Sequence, residues 1–132
     1  MSVAMQSNKK VLYACRYHVV WCPKYRRPVL VDDVRERLVE ILHQEARDRH
    51  AEVLALDVMP DHVSLVVDAD PQFGIHRLVK RLKARSSHDL RREFPHLRSR
   101  LPALWTHSYL VVTIGGARPA TVRRYVAAQR HT

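Results

Sequence analysis

The chain has 132 residues, and 23 lysines and arginines against 13 aspartates and glutamates give it a net charge of +10. The length predicts one domain, 1–132, and a hydrophobic content of 46% excludes a wholly disordered chain. No apolar run reaches the roughly 20 residues of a membrane helix and the first residues lack the apolar core of a signal peptide, so we expect a cytoplasmic protein.

The first half of the chain predicts a strand, a helix and a strand pair. Residues 1–10 are expected to be flexible. Residues 11–22 are rich in β-branched and aromatic residues, which predicts a strand that ends at the prolines of the following segment. Apolar residues at helical spacing predict a helix from Asp32 to about His50. Two short apolar runs around Pro60-Asp61 predict consecutive strands over 52–59 and 62–68.

The second half repeats the alternation. Helical spacing returns over 75–94 and is broken by Pro95, a strand is predicted over 104–114, and a last helix follows Pro119. The predicted order of elements is that of an α+β sandwich: strand, helix, strand, strand, helix, strand and a terminal helix. We therefore predict a ferredoxin-like or RRM-like fold with an antiparallel sheet and a C-terminal helix carrying Tyr125.

Positive charge is concentrated in two segments. Residues 75–100 contain nine lysines and arginines against two acidic residues, and residues 24–27 combine cations with a tyrosine. A solvated helix face or an anionic surface would explain either cluster alone, but together they favour a nucleic-acid partner. The candidate DNA-binding residues are Lys24, Tyr25, Arg26, Arg27, Arg77, Lys80, Arg81, Lys83, Arg85, Arg91 and Arg92.

Two short patterns carry candidate chemistry. Alternation along the strand at 62–68 places His62 and Ser64 on one face, where they could hold a divalent cation or simply form an exposed strand edge. Tyr125 and Gln129 are four residues apart on the last helix and share a face. A phenol is a poor nucleophile near its usual pKa of about 10, so it needs a cation to polarise its target, and an amide oxygen is a suitable ligand.

Several motifs together resemble one family over about residues 17–129. They are HVVWCPKYRRPVL at 18–30, VMPDHVSLVV at 58–67, LVKRLKARSS at 78–87, EFP at 93–95, LWTHSYLVVTIGG at 104–116 and TVRRYVAAQ at 121–129. In this order and spacing the sequence is identified as a member of the single-tyrosine HUH transposases of bacterial insertion sequences, the IS200-like TnpA group.

The resemblance implies single-stranded DNA transposition by a homodimer that recognises DNA hairpins, with neither a membrane nor a small-molecule substrate as partner. Tyr125 matches the nucleophile that forms a 5′-phosphotyrosine link. His62 matches the first histidine of a His-hydrophobic-His metal motif, and Gln129 matches the ligand on the tyrosine helix. The implied cofactor is Mg²⁺ or Mn²⁺, and the tyrosine helix can act in either protomer of such a dimer.

The departure from the family pattern is Ser64, where the second metal histidine is expected. A serine hydroxyl can ligate Mg²⁺ but is a weaker donor than imidazole for softer metals, so the cation site is expected to be weakened. No nearby carboxylate is expected to replace the histidine: Asp68 lies about 13 Å along the strand, and Asp61 points to the other face if the strand begins there, although the turn could redirect it. Three alternatives stay open: a transposase with an unusual metal site, a catalytically silent hairpin-binding relative, and a module that binds RNA or single strands without cleavage.

Overall fold

The structure is a computed structural model that describes residues 6–7, 12–114 and 119–131. The elements in chain order are β1 (Gln6–Ser7), β2 (Leu12–Tyr13), β3 (Arg16–Trp21), α1 (Asp32–Asp48), β4 (Glu52–Met59), β5 (His62–Asp68), α2 (Ile75–Glu93), α3 (His96–Arg100), β6 (Leu110–Thr113) and α4 (Pro119–Ala128). Short 3-10 turns cover Lys24–Arg26 and Gln129–His131.

The main sheet is antiparallel and has the strand order β4-β5-β3-β6. Helix α1 connects β3 to β4, and α2 leads from β5 towards β6, so each helix crosses over the sheet between two of its strands. This topology is the split βαβ arrangement. The predicted α+β, ferredoxin-like fold is therefore confirmed.

The core lies between one face of the sheet and the two long helices. Alternate residues of β5 point into it, and α1 and α2 contribute one apolar stripe each, as their helical spacing predicts. The largest fully buried side chains are Trp21, Leu30, Leu38, Ile41, Leu42, Leu65, Leu78, Leu82, Leu90, Leu97 and Leu104. The opposite face of the sheet is left for polar side chains and for α4.

The predicted strand at 11–22 is wrong in extent, because β2 and β3 are separate. At the break, the backbone amide of Cys15 donates to the Asp68 carboxylate at 3.0 Å instead of to a strand. Strand β2 pairs with β1, so Gln6–Ser7 within the segment expected to be flexible forms a two-stranded ladder. The rest of residues 1–10 lies outside the described residues.

The predicted strand at 104–114 is also too long, since only Leu110–Thr113 pairs in the main sheet. The Trp105 ring turns inward, packs edge-on against Trp21 with centroids 5.9 Å apart, and donates from Nε1 to Ser86 Oγ at 3.0 Å. These contacts hold 104–109 across the end of the sheet as an irregular segment. Helix α3 after Pro95 was not predicted.

Candidate nuclease site

The polar face of β5 holds His62 and Ser64, as alternation predicts. Val63, Leu65 and Val67 are buried towards the helices, whereas His62 and Ser64 are only partly covered on the opposite face. In the strand register, Ser64 lies opposite Val20 of β3 on one side and opposite Asp57 of β4 on the other. Sequence reasoning considered Asp61 and Asp68 as carboxylates near Ser64 and did not consider Asp57, which is its direct neighbour across the sheet.

His62 is oriented by a carboxylate. Its Nδ1 donates to Asp61 Oδ1 at 2.8 Å, which leaves Nε2 as the nitrogen with an unshared electron pair. Of the two placements left open for Asp61, the structure has the one in which the turn redirects it, because Asp61 precedes β5 and is not part of the strand. A carboxylate that fixes one ring nitrogen in this way orients the other nitrogen, Nε2, towards a metal ion.

Arg26 connects His62 to the tyrosine helix. Its Nε lies 2.9 Å from Asp61 Oδ2, and its Nη1 donates to the backbone carbonyl of Val126 on α4 at 3.4 Å. Arg26 and the preceding Tyr25 have φ values of 52° and 60°, which are uncommon for residues with a side chain. The strained turn at Tyr25 and Arg26 therefore orients the Arg26 guanidinium towards Asp61 and towards α4.

Tyr125 and Gln129 meet at one serine. Ser108 Oγ donates to Gln129 Oε1 at 3.0 Å and lies 3.0 Å from the Tyr125 hydroxyl. Because the serine has a single hydrogen, the phenol donates to it. Burial raises the pKa of Tyr125, partly offset by the Ser108 hydrogen bond, so the nucleophile candidate is protonated at neutral pH. The structure therefore joins the two residues of the motif, Tyr125 on α4 and Gln129 on the 3-10 turn that follows the helix.

The segment that carries Ser108 is fixed by Lys83. The Lys83 ammonium donates to the carbonyls of Thr106 at 2.6 Å and of Ser108 at 3.2 Å. Desolvation by burial lowers the pKa of Lys83 to about 8, and the electrostatic interaction with Cys22 offsets this only in part. Lys83 thus has a local structural role beside its predicted one in DNA binding.

Ser64 has a partner on the neighbouring strand that sequence reasoning did not assign. Ser64 Oγ and His18 Nε2 are hydrogen-bonded at 2.6 Å. Burial lowers the pKa of His18, which is on the same polar face as Ser64. The residue that replaces the expected histidine therefore contacts an imidazole.

The predicted DNA-binding residues divide by exposure. Arg85 pairs with Asp48 at 3.0 Å and lies near Asp89 at 3.7 Å, so much of its charge is used within the protein. Arg91 donates to the Pro102 carbonyl at 3.4 Å, and Lys24 lies over the Tyr25 ring at 5.4 Å. Those that stand exposed are Tyr25, Arg27, Arg77, Lys80, Arg81 and Arg92.

A groove runs along the exposed side of α2. One part is lined by Lys80, Lys83, Trp105, His107 and Tyr109, and the adjoining part by His88, Arg91, Arg92 and Arg98. Ala84 and Ser87 border both parts, so the groove is continuous. Cations beside aromatic rings in an open groove suit a single strand of nucleic acid.

Three donor atoms of the candidate site, two on the polar face of β5 and one on the turn after α4, suit a hard divalent cation. His62 offers Nε2, Ser64 a hydroxyl and Gln129 an amide oxygen, all neutral donors that Mg²⁺ and Mn²⁺ accept. The orientation of His62 by Asp61 is the observation that supports this fit. Within the described part of the chain, no three His, Cys, Asp or Glu side chains converge as a metal-binding group.

Comparisons with known proteins agree on one family. The family described as "Transposase IS200 like" matches residues 11–129. The ISDra2 transposase TnpA of Deinococcus radiodurans is 35% identical over 131 residues, covering 98% of this chain and 94% of the relative. The IS200 transposase of Salmonella typhimurium is 27% identical over 117 residues, covering 87% of this chain and 76% of the relative.

Solved structures share the fold. A transposase candidate from Deinococcus radiodurans R1 superposes with a TM-score of 0.86 at 38% identity, covering 95% of this chain and 98% of that chain. A REP-associated tyrosine transposase bound to a REP hairpin gives a TM-score of 0.59 at 16% identity, covering 92% and 68% respectively. In the described residues, no helix is long and apolar enough to cross a membrane. The match over 11–129, together with the close relative over nearly the whole chain, shows that this chain belongs to the IS200-like transposase family.

Proposed function

We propose that this chain cleaves and rejoins single-stranded DNA at hairpin-bearing ends through a 5′-phosphotyrosine intermediate at Tyr125. The observation that carries the proposal is the contact of Ser108 with both Tyr125 and Gln129, at 3.0 Å each. A tyrosine that served only packing would not need its hydroxyl held by the same serine that binds the buried Gln129 amide oxygen. Arg26 adds a link from this helix to the His62–Asp61 pair.

The reaction exchanges one phosphoester bond for another. The Tyr125 oxygen attacks phosphorus, the new bond joins it to the 5′ side of the break, and the bond to the 3′ oxygen breaks. The phenol loses one proton and the 3′-hydroxyl gains one, so the step balances. Reversal by a different 3′-hydroxyl rejoins the strands and regenerates the phenol.

The protein's own residues orient this exchange. Ser108 accepts the phenol proton in a hydrogen bond and so fixes the direction of the Tyr125 oxygen. His62, Ser64 and Gln129 would hold a divalent cation, which supplies polarisation of the phosphate when bound. Burial raises the pKa of Tyr125, so the phenol carries its proton in the unliganded protein and has to release it in the course of the reaction.

The DNA-binding part of the proposal is supported by the exposed cations Arg27, Arg77, Lys80, Arg81 and Arg92. A structural relative is bound to a REP hairpin, and the α2 groove offers cations and rings to unpaired bases. Affinity for a hairpin-bearing strand should fall steeply with salt, with a logarithmic slope of roughly 0.7 to 0.9 per neutralised phosphate. A hairpin affinity that does not change with salt concentration would contradict a role of α2 in DNA binding.

We also propose that the protein acts as a cytoplasmic homodimer. The family resemblance supports the dimer, and the high positive charge supports a nucleic-acid partner over a small-molecule substrate. Light scattering of the purified chain with and without DNA measures the assembly. A monomer in both conditions would contradict the dimer.

The test incubates the protein with a pool of labelled single strands that carry imperfect hairpins and randomised flanks, in Mg²⁺ or Mn²⁺. A covalent adduct that survives denaturation and disappears in Tyr125→Phe is expected. Ser64→His should raise the rate of adduct formation by restoring an imidazole donor. If the original chain forms the adduct rapidly and Ser64→His does not change that rate, the weakened cation site is contradicted.

A second candidate is a catalytically silent dimer that binds DNA hairpins. Ser64 favours it, because its hydroxyl is hydrogen-bonded to His18 and replaces the stronger imidazole ligand that the family resemblance implies. Hairpin binding without an adduct, in both the original chain and Ser64→His, would decide for this candidate.

A further inference from the structure

The polar face of the sheet carries a second histidine, on the strand next to β5. His18 is in β3, where its neighbours Val19 and Trp21 point to the core, so its side chain shares the face of His62 and Ser64. In the register His18 lies opposite Val66, two positions along from Ser64. Its ring is turned along the sheet towards Ser64, since Nε2 meets the serine oxygen.

The spacing of these two donor atoms is close to that of neighbouring ligands on one ion. His18 Nε2 and Ser64 Oγ are 2.6 Å apart. Adjacent ligands of an octahedral ion with bonds of about 2.1 Å are separated by about 3.0 Å. A few tenths of an ångström of side-chain movement would allow both atoms to face the same cation.

We propose that His18 replaces the missing family histidine and supplies, with His62, the second imidazole of the divalent-cation site in this chain. The inference rests on the proposed function of the same face. The Ser64 hydroxyl, which is hydrogen-bonded to His18, is then the neighbouring donor on the same side of the ion, and His18 extends towards it from β3. The cation would lie closer to β3 than it would beside a histidine at position 64.

Asp57 is the competing replacement, because it lies opposite Ser64 on β4 and carries a charge. Its side chain is exposed, and Ser64 Oγ is instead hydrogen-bonded to His18. Direct contact therefore favours the histidine over the carboxylate.

The experiment measures Mn²⁺ binding to the full chain without DNA, by the loss of the free-ion signal in electron paramagnetic resonance. The variants are His18→Ala, His18→Asn, His62→Ala, Asp57→Asn and, as the matched control for loss of one histidine, the exposed His43→Ala. His18→Asn keeps a polar group beside Ser64 in case the alanine variant does not fold, and circular dichroism checks each protein.

We expect the His18 and His62 variants to weaken Mn²⁺ binding at least tenfold and His43→Ala and Asp57→Asn to change it less than threefold. Ser64→His added to His18→Asn should restore binding to within threefold of the original chain. Binding by His18→Asn equal to that of the original chain overturns the inference. Loss of binding in Asp57→Asn alone, or no Mn²⁺ binding by the original chain, also overturns it.

The DNA adduct of Tyr125 is scored separately on the same preparations. Mn²⁺ binding that depends on His18, with no adduct, supports this inference and contradicts the proposed function. An adduct whose formation and Mn²⁺ requirement do not change in His18→Asn supports the proposed function and contradicts this inference.

Discussion

Removing the Arg26 side chain should uncouple the tyrosine helix from the His62–Asp61 pair. Arg26 makes an ion pair with Asp61 at 2.9 Å, with the two side chains 17% and 25% exposed, and a longer bond to the Val126 carbonyl at 3.4 Å. A partly exposed pair contributes up to about 1 kcal/mol, and a hydrogen bond to a carbonyl adds about 0.5–1 kcal/mol. Arg26→Ala should therefore cost about 1–2 kcal/mol of α4 docking, a factor of roughly 5–30.

The assay is the single-turnover rate of adduct formation at saturating hairpin DNA, together with hydrogen exchange of the α4 amides. Arg27→Ala is the matched control, because it removes the same charge from an exposed neighbour. We expect Arg26→Ala to slow adduct formation 5–30-fold and to speed exchange in α4, and Arg27→Ala to weaken DNA affinity only. Equal single-turnover rates in the two variants would refute the coupling.

Three further predictions concern the support of the site. Ser86→Ala leaves the buried Trp105 Nε1 without its hydrogen-bond partner. The free energy of unfolding, measured in urea, should therefore fall by about 1–3 kcal/mol. A change below about 0.5 kcal/mol would contradict a stabilising role of this hydrogen bond. Burial raises the pKa of the Cys22 thiol to about 12. Iodoacetamide at pH 8 should therefore label the partly exposed Cys15 and leave Cys22 unlabelled until the chain unfolds. Equal labelling of the two cysteines in the folded chain would contradict the burial of Cys22. The pKa of Lys83 is lowered to about 8, against 10.5 in the unfolded chain, so between these pH values the unfolded state binds more protons than the folded state. The free energy of unfolding should therefore rise with pH in this range relative to that of Lys83→Met. A difference between the two proteins that does not change with pH would contradict the lowered pKa.

Local patterns predicted most of the fold. Strands β4 and β5 begin and end where their apolar runs do, and α2 ends within one residue of its predicted end. These boundaries depend on short-range signals: alternation, helical spacing and the prolines. The 104–109 segment was predicted wrongly because the inward turn of Trp105 depends on Ser86 and Trp21, which are distant in sequence.

The candidate site was predicted less completely. Alternation alone placed His62 with Ser64, and helical spacing placed Tyr125 with Gln129. Ser108 was missed, because its contact with Tyr125 and Gln129 depends on how the chain passes over the sheet end. The contact of Ser64 with His18 requires the register of β3 against β5, which sequence spacing does not reveal.

Arg26 shows that the distribution of charge along the sequence does not predict which cations are exposed in the fold. The basic cluster at 24–27 was interpreted as one DNA-binding surface, yet its side chains divide between solvent and the protein interior. Tyr25 and Arg27 are exposed, whereas Arg26 is engaged by Asp61 and α4. Net charge in a segment predicts a polyanion partner, but pairing within the fold decides which cations are available to it.

The most direct test of the account is peptide mapping of the covalent adduct with hairpin DNA. After nuclease digestion and trypsin, the residual nucleotide should be found on the peptide 125–130, which contains no other hydroxyl-bearing side chain than Tyr125. This result would establish Tyr125 as the nucleophile. A nucleotide attached to another peptide, or a strand cleaved without any attached nucleotide, would contradict the account.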